Sequence, residues 1–140
     1  MDYYSIIFSA AKAAKVSGIL LFAICSHESN GFMYDYTAYD HGSPSYSVCQ
    51  LKESTARMLG FKGKTEELRN QKVAIKYSAL YLKYQQDRYG SEDWCRIVAS
   101  YNSGSFIESK KNPGKPKNLA YVKKVQKKLD EELRNRLSCE

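Results

Sequence analysis

The chain has 140 residues and a net charge of +7, and its aromatic residues are 12 Tyr, 5 Phe and 1 Trp. This length suits one domain, residues 1–140, with its own hydrophobic core. The positive charge favours anionic partners such as nucleic acid, a membrane surface or bacterial envelope polymers. No apolar run is long enough to span a membrane and no basic segment opens the chain, so we expect neither a transmembrane helix nor a signal peptide.

The four cysteines lie far apart in the sequence and include no C-x-x-C pair: Cys25, Cys49, Cys95 and Cys139. Because the chain has only 2 histidines, we expect no metal site and no cofactor. Without a signal peptide the expected compartment is reducing. The cysteines are therefore predicted to be free thiols, most of them in the core.

Apolar spacing predicts helices through most of the chain. A first helix at 3–16 is predicted to stop at Ser17-Gly18, and a second to stop at Asn30-Gly31. The Tyr-rich loop at 31–46 predicts either a substrate wall or a small aromatic core. The remaining predicted elements are an extended segment at 46–51, short helices at 52–59 and from 65, a long helix at 71–89, a helix capped by Ser91, a basic loop at 105–117 and a last helix at 118–137. The predicted fold is all-α, or α+β with at most a very small β element.

The second helix ends in a carboxylate on its apolar side. At 3.6 residues per turn, Glu28 shares a face with Leu21, Ile24 and Cys25. Apolar surroundings raise the pKa of a carboxyl group, and a raised pKa is what a general acid needs near neutral pH. The alternative is an ordinary helix-end glutamate whose head group reaches water.

Short sequence patches then follow in one order along the chain. They are His-Glu-Ser-Asn at 27–30, Val-Cys-Gln-Leu at 48–51 with Thr-Ala at 55–56, Tyr-Leu at 81–82, Ser-Tyr-Asn-Ser-Gly at 100–104 and Tyr-Val at 121–122. Their order and spacing resemble those of the soluble lytic transglycosylase (SLT-type) catalytic domain, within the lysozyme-like superfamily. The resemblance extends from the first helix to about residue 125. It implies a lysozyme-like helical domain with a substrate cleft.

The resemblance also implies roles for individual residues. Glu28 matches the family's single catalytic acid, and Gln50 matches the residue that lines the cleft beside it. Both Tyr81 and Tyr101 also fit apolar helical stripes, so a core role is the alternative for each. The remaining matches are residues that contact the sugar, stabilise the reacting ring or line the cleft: Tyr81, Tyr101, Asn102 and Tyr121.

The sequence departs from the family pattern in two stretches: at 47–49, where Val48-Cys49 also replaces Leu-Met, and at 117–118. Ser47 stands where the family has the Gly of Gly-Leu-Met-Gln. A Gly permits close approach of the backbone, so Ser47 is expected to narrow a substrate subsite. Lys117-Asn118 replaces the Glu-Thr that often precedes the late Tyr-Val.

The implied enzyme is a peptidoglycan lytic transglycosylase that cleaves the β-1,4 bond between N-acetylmuramic acid and N-acetylglucosamine. Glu28 would protonate the glycosidic oxygen, and the 6-hydroxyl of muramic acid would attack an oxocarbenium-like centre to give a 1,6-anhydro sugar. The runner-up is a hydrolytic muramidase, whose second acid would be Asp35 or Asp40. A third hypothesis is a non-catalytic peptidoglycan-binding or virion structural module.

Peptidoglycan lies outside the cytoplasm. A basic domain without a signal peptide therefore suggests a phage endolysin or virion-associated lysin, made in the host cytoplasm and released by a holin or delivered by the particle. We expect a monomer, with anionic envelope polymers as additional partners. No nucleic-acid motif occurs, so no nucleic acid is expected at the lysines that crowd the last third of the chain. These are Lys110, Lys111, Lys115, Lys117, Lys123, Lys124, Lys127 and Lys128.

Overall fold

The computed structural model describes residues 2–33, 38–40 and 43–139, with side chains for all of these except 38–40. Within them lie seven α-helices and one antiparallel sheet with strand order β1-β2-β3. The predicted fold class, mostly α with a very small β element, is confirmed. The elements are α1 (Tyr3–Ala14), α2 (Gly18–Glu28), β1 (Ala38–Asp40), β2 (Ser43–Tyr46), β3 (Leu51–Lys52), α3 (Glu53–Met58), α4 (Gln71–Tyr89), α5 (Trp94–Ser103), α6 (Leu119–Gln126) and α7 (Glu131–Arg134), with short 3-10 helices at Thr65–Arg69 and Asn135–Leu137.

Backbone contacts divide the chain into two compact units, a first unit of Met1–Lys83 and a second unit of Tyr84–Glu140. Each unit is described by itself below, and the single domain over residues 1–140 stays a prediction. None of the described helices is long and apolar enough to cross a membrane.

In the first unit, α1 ends at its own left-handed cap. Lys15 has φ 62°, and its N–H donates back to the carbonyls of Ala11 and Lys12. Ser17 then caps α2, because its Oγ accepts the Leu20 N–H at 3.1 Å. The predicted stop at Ser17-Gly18 is therefore a helix start.

The sheet and α3 share a buried cluster in the first unit. Tyr46, which ends β2, is 4% exposed and packs with residues from the neighbouring elements. Tyr46 also pairs with Leu51 across β2 and β3. The extended segment predicted at 46–51 is thus two strands joined by a turn. The cluster consists of Tyr46, Leu51, Ala56, Phe61 and Leu68.

In the second unit, two predicted helix boundaries differ from the structure. Asp93, rather than Ser91, caps α5, and its carboxylate accepts the Arg96 N–H at 3.1 Å. The helix predicted at 118–137 ends at Gln126. Gln126 Nε2 donates to the carbonyls of Arg134 at 2.8 Å and Leu137 at 3.3 Å. These bonds hold the segment after Gln126 against α6, so that this segment does not continue the helix.

The prediction of reduced thiols is wrong, because the cysteines form two disulfides. Cys25–Cys49 joins residues 24 positions apart in the first unit. Cys95–Cys139 joins residues 44 positions apart in the second unit. Pairing depends on which cysteines the fold brings within bonding distance, and spacing along the chain does not reveal that.

Candidate active site

Glu28 is the last residue of α2, a helix buried on almost every side. Its side chain is half-buried, whereas Ile24 and Cys25, one turn earlier, are completely buried. Ser29 closes the helix: its Oγ donates to the Cys25 carbonyl at 2.7 Å and accepts the Phe32 N–H at 3.0 Å. Because Ser29 is itself fully buried, the backbone that carries Glu28 is held firmly at the helix end.

The turn at residues 47–50 carries two of the predicted site residues, and both have unusual backbone angles. Ser47 has φ 69° and Gln50 has φ 52°, in the left-handed region that favours glycine. For a non-glycine residue this conformation costs roughly 1–2 kcal/mol. The family's glycine at the position of Ser47 therefore has a physical reason, which is the sharp reversal between β2 and β3.

Hydrogen bonds inside the turn help to offset that cost. Both the N–H and the Nε2 of Gln50 donate to the Ser47 carbonyl, at 3.1 and 2.9 Å. The Ser47 side chain is buried, and its Oγ accepts the Cys49 N–H at 3.4 Å. Ser47 thus serves the turn, and its predicted narrowing of a subsite stays a prediction.

The turn is tied to two helices of the first unit. Cys49, completely buried, forms the disulfide with Cys25 of α2. Val48 N–H reaches the side chain of Gln71, the first residue of α4, at 3.4 Å from Oε1. Tyr81 lies on the same helix α4, with its side chain half-buried. The first unit therefore holds the elements of Glu28, Gln50 and Tyr81 in one connected frame.

In the second unit, the candidate residues lie around the end of α5. Tyr101 is 6% exposed, in keeping with its place on an apolar stripe, whereas Asn102 is exposed. Asn118 Nδ2 donates to Asn102 Oδ1 at 2.9 Å and to the Ala99 carbonyl at 3.0 Å. Asn118 also precedes α6, which carries the half-buried Tyr121. The structure thus joins the elements of Asn102 and Tyr121.

Two residues of α4 outside the predicted site, Gln85 and Arg88, hold the end of α5. Gln85 is completely buried, and its Nε2 donates to the carbonyls of Ser100 at 3.2 Å and Gly104 at 3.0 Å. Arg88 Nη1 donates to Gln85 Oε1 at 2.9 Å and to the Gly104 carbonyl at 2.8 Å. A glutamine one turn beyond Tyr81 on the long helix is the signal that could have identified this network.

Tyr89 supports the loop that follows α5. Its hydroxyl accepts the Phe106 N–H at 2.8 Å. Burial, the largest influence, raises the pKa of Tyr89. Hydrogen bonds from Phe106 and Ser100 and the charges of Arg88 and Arg96 together outweigh burial, so the pKa lies below its usual value.

Asp35 and Asp40 are the candidate water-positioning acids of a muramidase. Asp35 and the side chain of Asp40 lie outside the described residues. Within the described part of the chain, no group of three His, Cys, Asp or Glu side chains is arranged to hold a metal ion. The absence of a cofactor and of a metal stays a prediction.

A buried helix that ends in an acid and a small three-stranded sheet, in a chain that is otherwise mostly helical, are typical of a lysozyme-like fold. The family model described as "Transglycosylase SLT domain" matches residues 5–124, which include all seven candidate residues. The chain belongs to the Transglycosylase SLT domain family. The resemblance inferred from the sequence patches is thereby confirmed.

Two solved structures share the fold at low sequence identity. An inactive mutant of the lytic transglycosylase Slt from Pseudomonas aeruginosa aligns with a TM-score of 0.64 and 18% identity, over 98% of this chain and 22% of that one. The 70 kDa soluble lytic transglycosylase from Escherichia coli aligns with a TM-score of 0.63 and 16% identity, again over 98% of this chain and 22% of that one. The chain thus spans about a fifth of the length of these proteins. None of the curated proteins compared with it matches its sequence.

Proposed function

We propose that this chain is a peptidoglycan lytic transglycosylase in which Glu28 is the general acid and then the general base. One observation carries the proposal: the family model matches residues 5–124, and within that range Glu28 is the last residue of the buried helix α2. The neighbour from Pseudomonas aeruginosa is an inactive mutant in which glutamine replaces a glutamate, so a glutamate is essential in that enzyme. Glu28 is our candidate for the corresponding role.

The chemistry begins with a protonated Glu28. Its carboxyl group lies at the C-terminal end of α2. Glu28 donates its proton to the glycosidic oxygen between N-acetylmuramic acid and N-acetylglucosamine, and the bond to the sugar carbon breaks through an oxocarbenium-like transition state. The resulting carboxylate then takes the proton of the muramic acid 6-hydroxyl as that oxygen attacks. The product is a 1,6-anhydro sugar, and no water is consumed.

The other candidate residues take supporting roles in this proposal. Gln50, in the turn that the disulfide ties to α2, is the candidate for lining the cleft beside the acid, and Tyr81 is half-buried on α4. Asn102 is exposed and held by Asn118, so its amide is available to a sugar hydroxyl or acetamido group at a defined position. Tyr101 is almost completely buried, so its contribution to binding is smaller than that of Asn102.

The reaction outcome separates the transglycosylase from the hydrolytic muramidase. Purified peptidoglycan is digested in oxygen-18 water, and the muropeptides are weighed by mass spectrometry. We expect anhydro ends that lack one water, about 18 mass units, and carry no label, because the nucleophile is intramolecular. Labelled reducing ends that vanish in Asp35→Asn or Asp40→Asn would identify a muramidase. Absence of any cleavage would favour the non-catalytic binding module.

We also propose that the second unit attracts anionic envelope polymers. Residues 105–128 contain 8 of the 22 Lys and Arg residues and 1 of the 15 acids, which leaves 14 of each elsewhere. The entire net charge of +7 therefore resides in these residues. In the part of the chain that the structure describes, none of the eight lysines forms an ion pair, and all except the half-buried Lys115 are exposed.

The place of action is a further part of the proposal. Disulfides persist in oxidising compartments, so the two crosslinks favour an enzyme that works outside the cytoplasm, where peptidoglycan lies. We propose a phage endolysin or virion-associated lysin acting as a monomer. Bacterial expression with and without a holin tests the endolysin role, since lysis that requires the holin supports release across the membrane. Lysis without any holin would contradict it.

A further inference from the structure

The Cys25–Cys49 disulfide connects the segments that carry two candidate site residues of the first unit, Glu28 and Gln50. Cys25 is one helical turn before Glu28 on α2, and Cys49 immediately precedes Gln50 in the turn. Both cysteines are completely buried. A single covalent bond thus connects the segment that carries the acid to the segment that carries the glutamine.

The turn needs such a bond more than an ordinary hairpin does. Ser47 and Gln50 both have positive φ angles although neither is glycine. Relaxation to negative φ angles is therefore favourable once the disulfide no longer restrains the turn. Besides the disulfide, the turn is held by the packing of the completely buried Val48 and by hydrogen bonds, of which the one from Val48 N–H to Gln71 Oε1 is long, at 3.4 Å. Strained residues of this kind persist only where the surrounding structure holds them.

We propose that the Cys25–Cys49 disulfide is a positioning element for catalysis, and that its reductive opening lowers turnover while the chain stays folded. This inference rests on the proposed function of Glu28. Opening consumes two electrons and two protons from a dithiol: the S–S bond breaks, two thiols form on the protein, and the dithiol becomes a cyclic disulfide. Besides the intervening backbone at 29–49, only non-covalent contacts then hold Glu28 and Gln50 in position.

The chain contains its own matched control. Cys95–Cys139 lies in the second unit and connects the start of α5 to Cys139, whereas Tyr101 and Asn102 lie near the end of that helix. It joins residues 44 positions apart, compared with 24 for Cys25–Cys49. In the chain-entropy account, the longer loop makes its removal at least as destabilising. Loss of stability and loss of positioning can therefore be told apart.

The experiment compares Cys25→Ala/Cys49→Ala with Cys95→Ala/Cys139→Ala. Both are assayed for kcat and KM on a defined peptidoglycan fragment, well below their unfolding midpoints and with folding checked by circular dichroism. We expect kcat of the first variant to fall by about 10- to 100-fold, the order of effect of a misplaced catalytic group. The control should keep kcat within about twofold although its Tm falls at least as far. Similar kcat values for both variants, whether both retained or both reduced, would overturn the inference.

Reduction provides a second measurement that does not depend on the folding of the first variant. The Cys95→Ala/Cys139→Ala protein contains only the Cys25–Cys49 disulfide, so dithiothreitol acts on that bond alone. We expect kcat per folded molecule to fall on reduction and to return after reoxidation, with far-UV circular dichroism unchanged. A constant kcat would show that the disulfide serves stability only. Glu28→Gln is assayed in parallel: full activity there would refute the proposed acid, whatever the disulfide does.

Discussion

The two compact units hold their candidate site residues by different means. In the first unit, a covalent crosslink and a strained four-residue turn connect the segments of Glu28 and Gln50. In the second unit, side-chain amides and a guanidinium bind the carbonyls at the end of α5, and Asn118 binds Asn102 directly. The first unit carries the proposed acid, and the second carries the exposed amide of Asn102 and the basic segment 105–128, whose 8 lysines and 1 acid give it a charge of +7.

The difference suggests a division of labour. A general acid must lie within hydrogen-bonding reach of one oxygen, so a covalent frame suits the unit that carries the proposed acid. Contacts to a long polymer are numerous and each is weak, so a frame of hydrogen bonds suffices in the second unit. Substitutions at the candidate site in the first unit should therefore reduce kcat strongly. Substitutions in the second unit should reduce binding of the polymer or kcat by smaller factors.

The strongest test of this comparison is Glu28→Gln. The amide fills the same space and cannot donate the proton, so we expect kcat to fall by about 10²- to 10⁴-fold with an unchanged circular-dichroism spectrum. Turnover of purified peptidoglycan measures the effect. Glu66→Gln, at an exposed carboxylate of the same unit, is the control and should keep full activity. A Glu28→Gln protein that clears peptidoglycan at the native rate would remove Glu28 from the mechanism.

A smaller effect is expected from charge in the second unit. Replacing four exposed lysines of α6 and its end by glutamine should slow lysis of whole cells by about 10-fold at low salt, because steering by charge is lost. Cleavage of small neutral fragments should stay the same. At about 1 M salt the native protein should approach the variant, since screening shortens the reach of charges to about 3 Å. The replaced residues are Lys123, Lys124, Lys127 and Lys128.

A matched charge control distinguishes this surface from net charge alone. Four exposed lysines of the first unit are replaced by glutamine, which lowers the net charge equally. If this control loses as much whole-cell activity as the α6 variant, the location of the charge is irrelevant and the proposed surface is wrong. Tighter binding of the native protein to DNA than to anionic wall polymers would instead indicate a nucleic-acid partner. The control residues are Lys12, Lys62, Lys64 and Lys72.

The smallest effect is expected from Asn118→Ala. It removes the hydrogen bonds to Asn102 Oδ1 and the Ala99 carbonyl, and one such bond contributes about 0.5–1.5 kcal/mol. We expect kcat to fall by about three- to tenfold, in keeping with a site positioned by single hydrogen bonds. Steady-state kinetics on a defined fragment measures the change.

Two further variants sharpen that result. Asn118→Asp fills the same space but turns the donor into an acceptor that faces two oxygens, so its kcat should fall at least as far. Asn112→Ala, in the exposed loop, should behave like the native protein. A lowered Tm with unchanged kcat in Asn118→Ala would show that Asn118 stabilises the second unit without positioning Asn102.

Much of the fold was predictable from local pattern. The long helix predicted at 71–89 matches α4 at both ends, because its apolar spacing is regular and Gly90 follows it. The helix that carries Glu28 was predicted for the same reason. Local rules failed at Ser17-Gly18, which can end one helix or begin the next, and at Ser91, because Ser91 and Asp93 are both suitable N-caps for α5.

The sequence by itself determined the family, the mostly helical class and the candidate acid, since these follow from ordered motifs and helical periodicity along the chain. Only the tertiary structure decided the disulfides, the two strands around the 47–50 turn and the break after Gln126. Each of these depends on groups far apart in sequence. Cys25 and Cys49 are 24 positions apart, and Gln126 binds carbonyls 8 and 11 positions away. Such contacts form only when the chain has already folded, so no local sequence pattern predicts them.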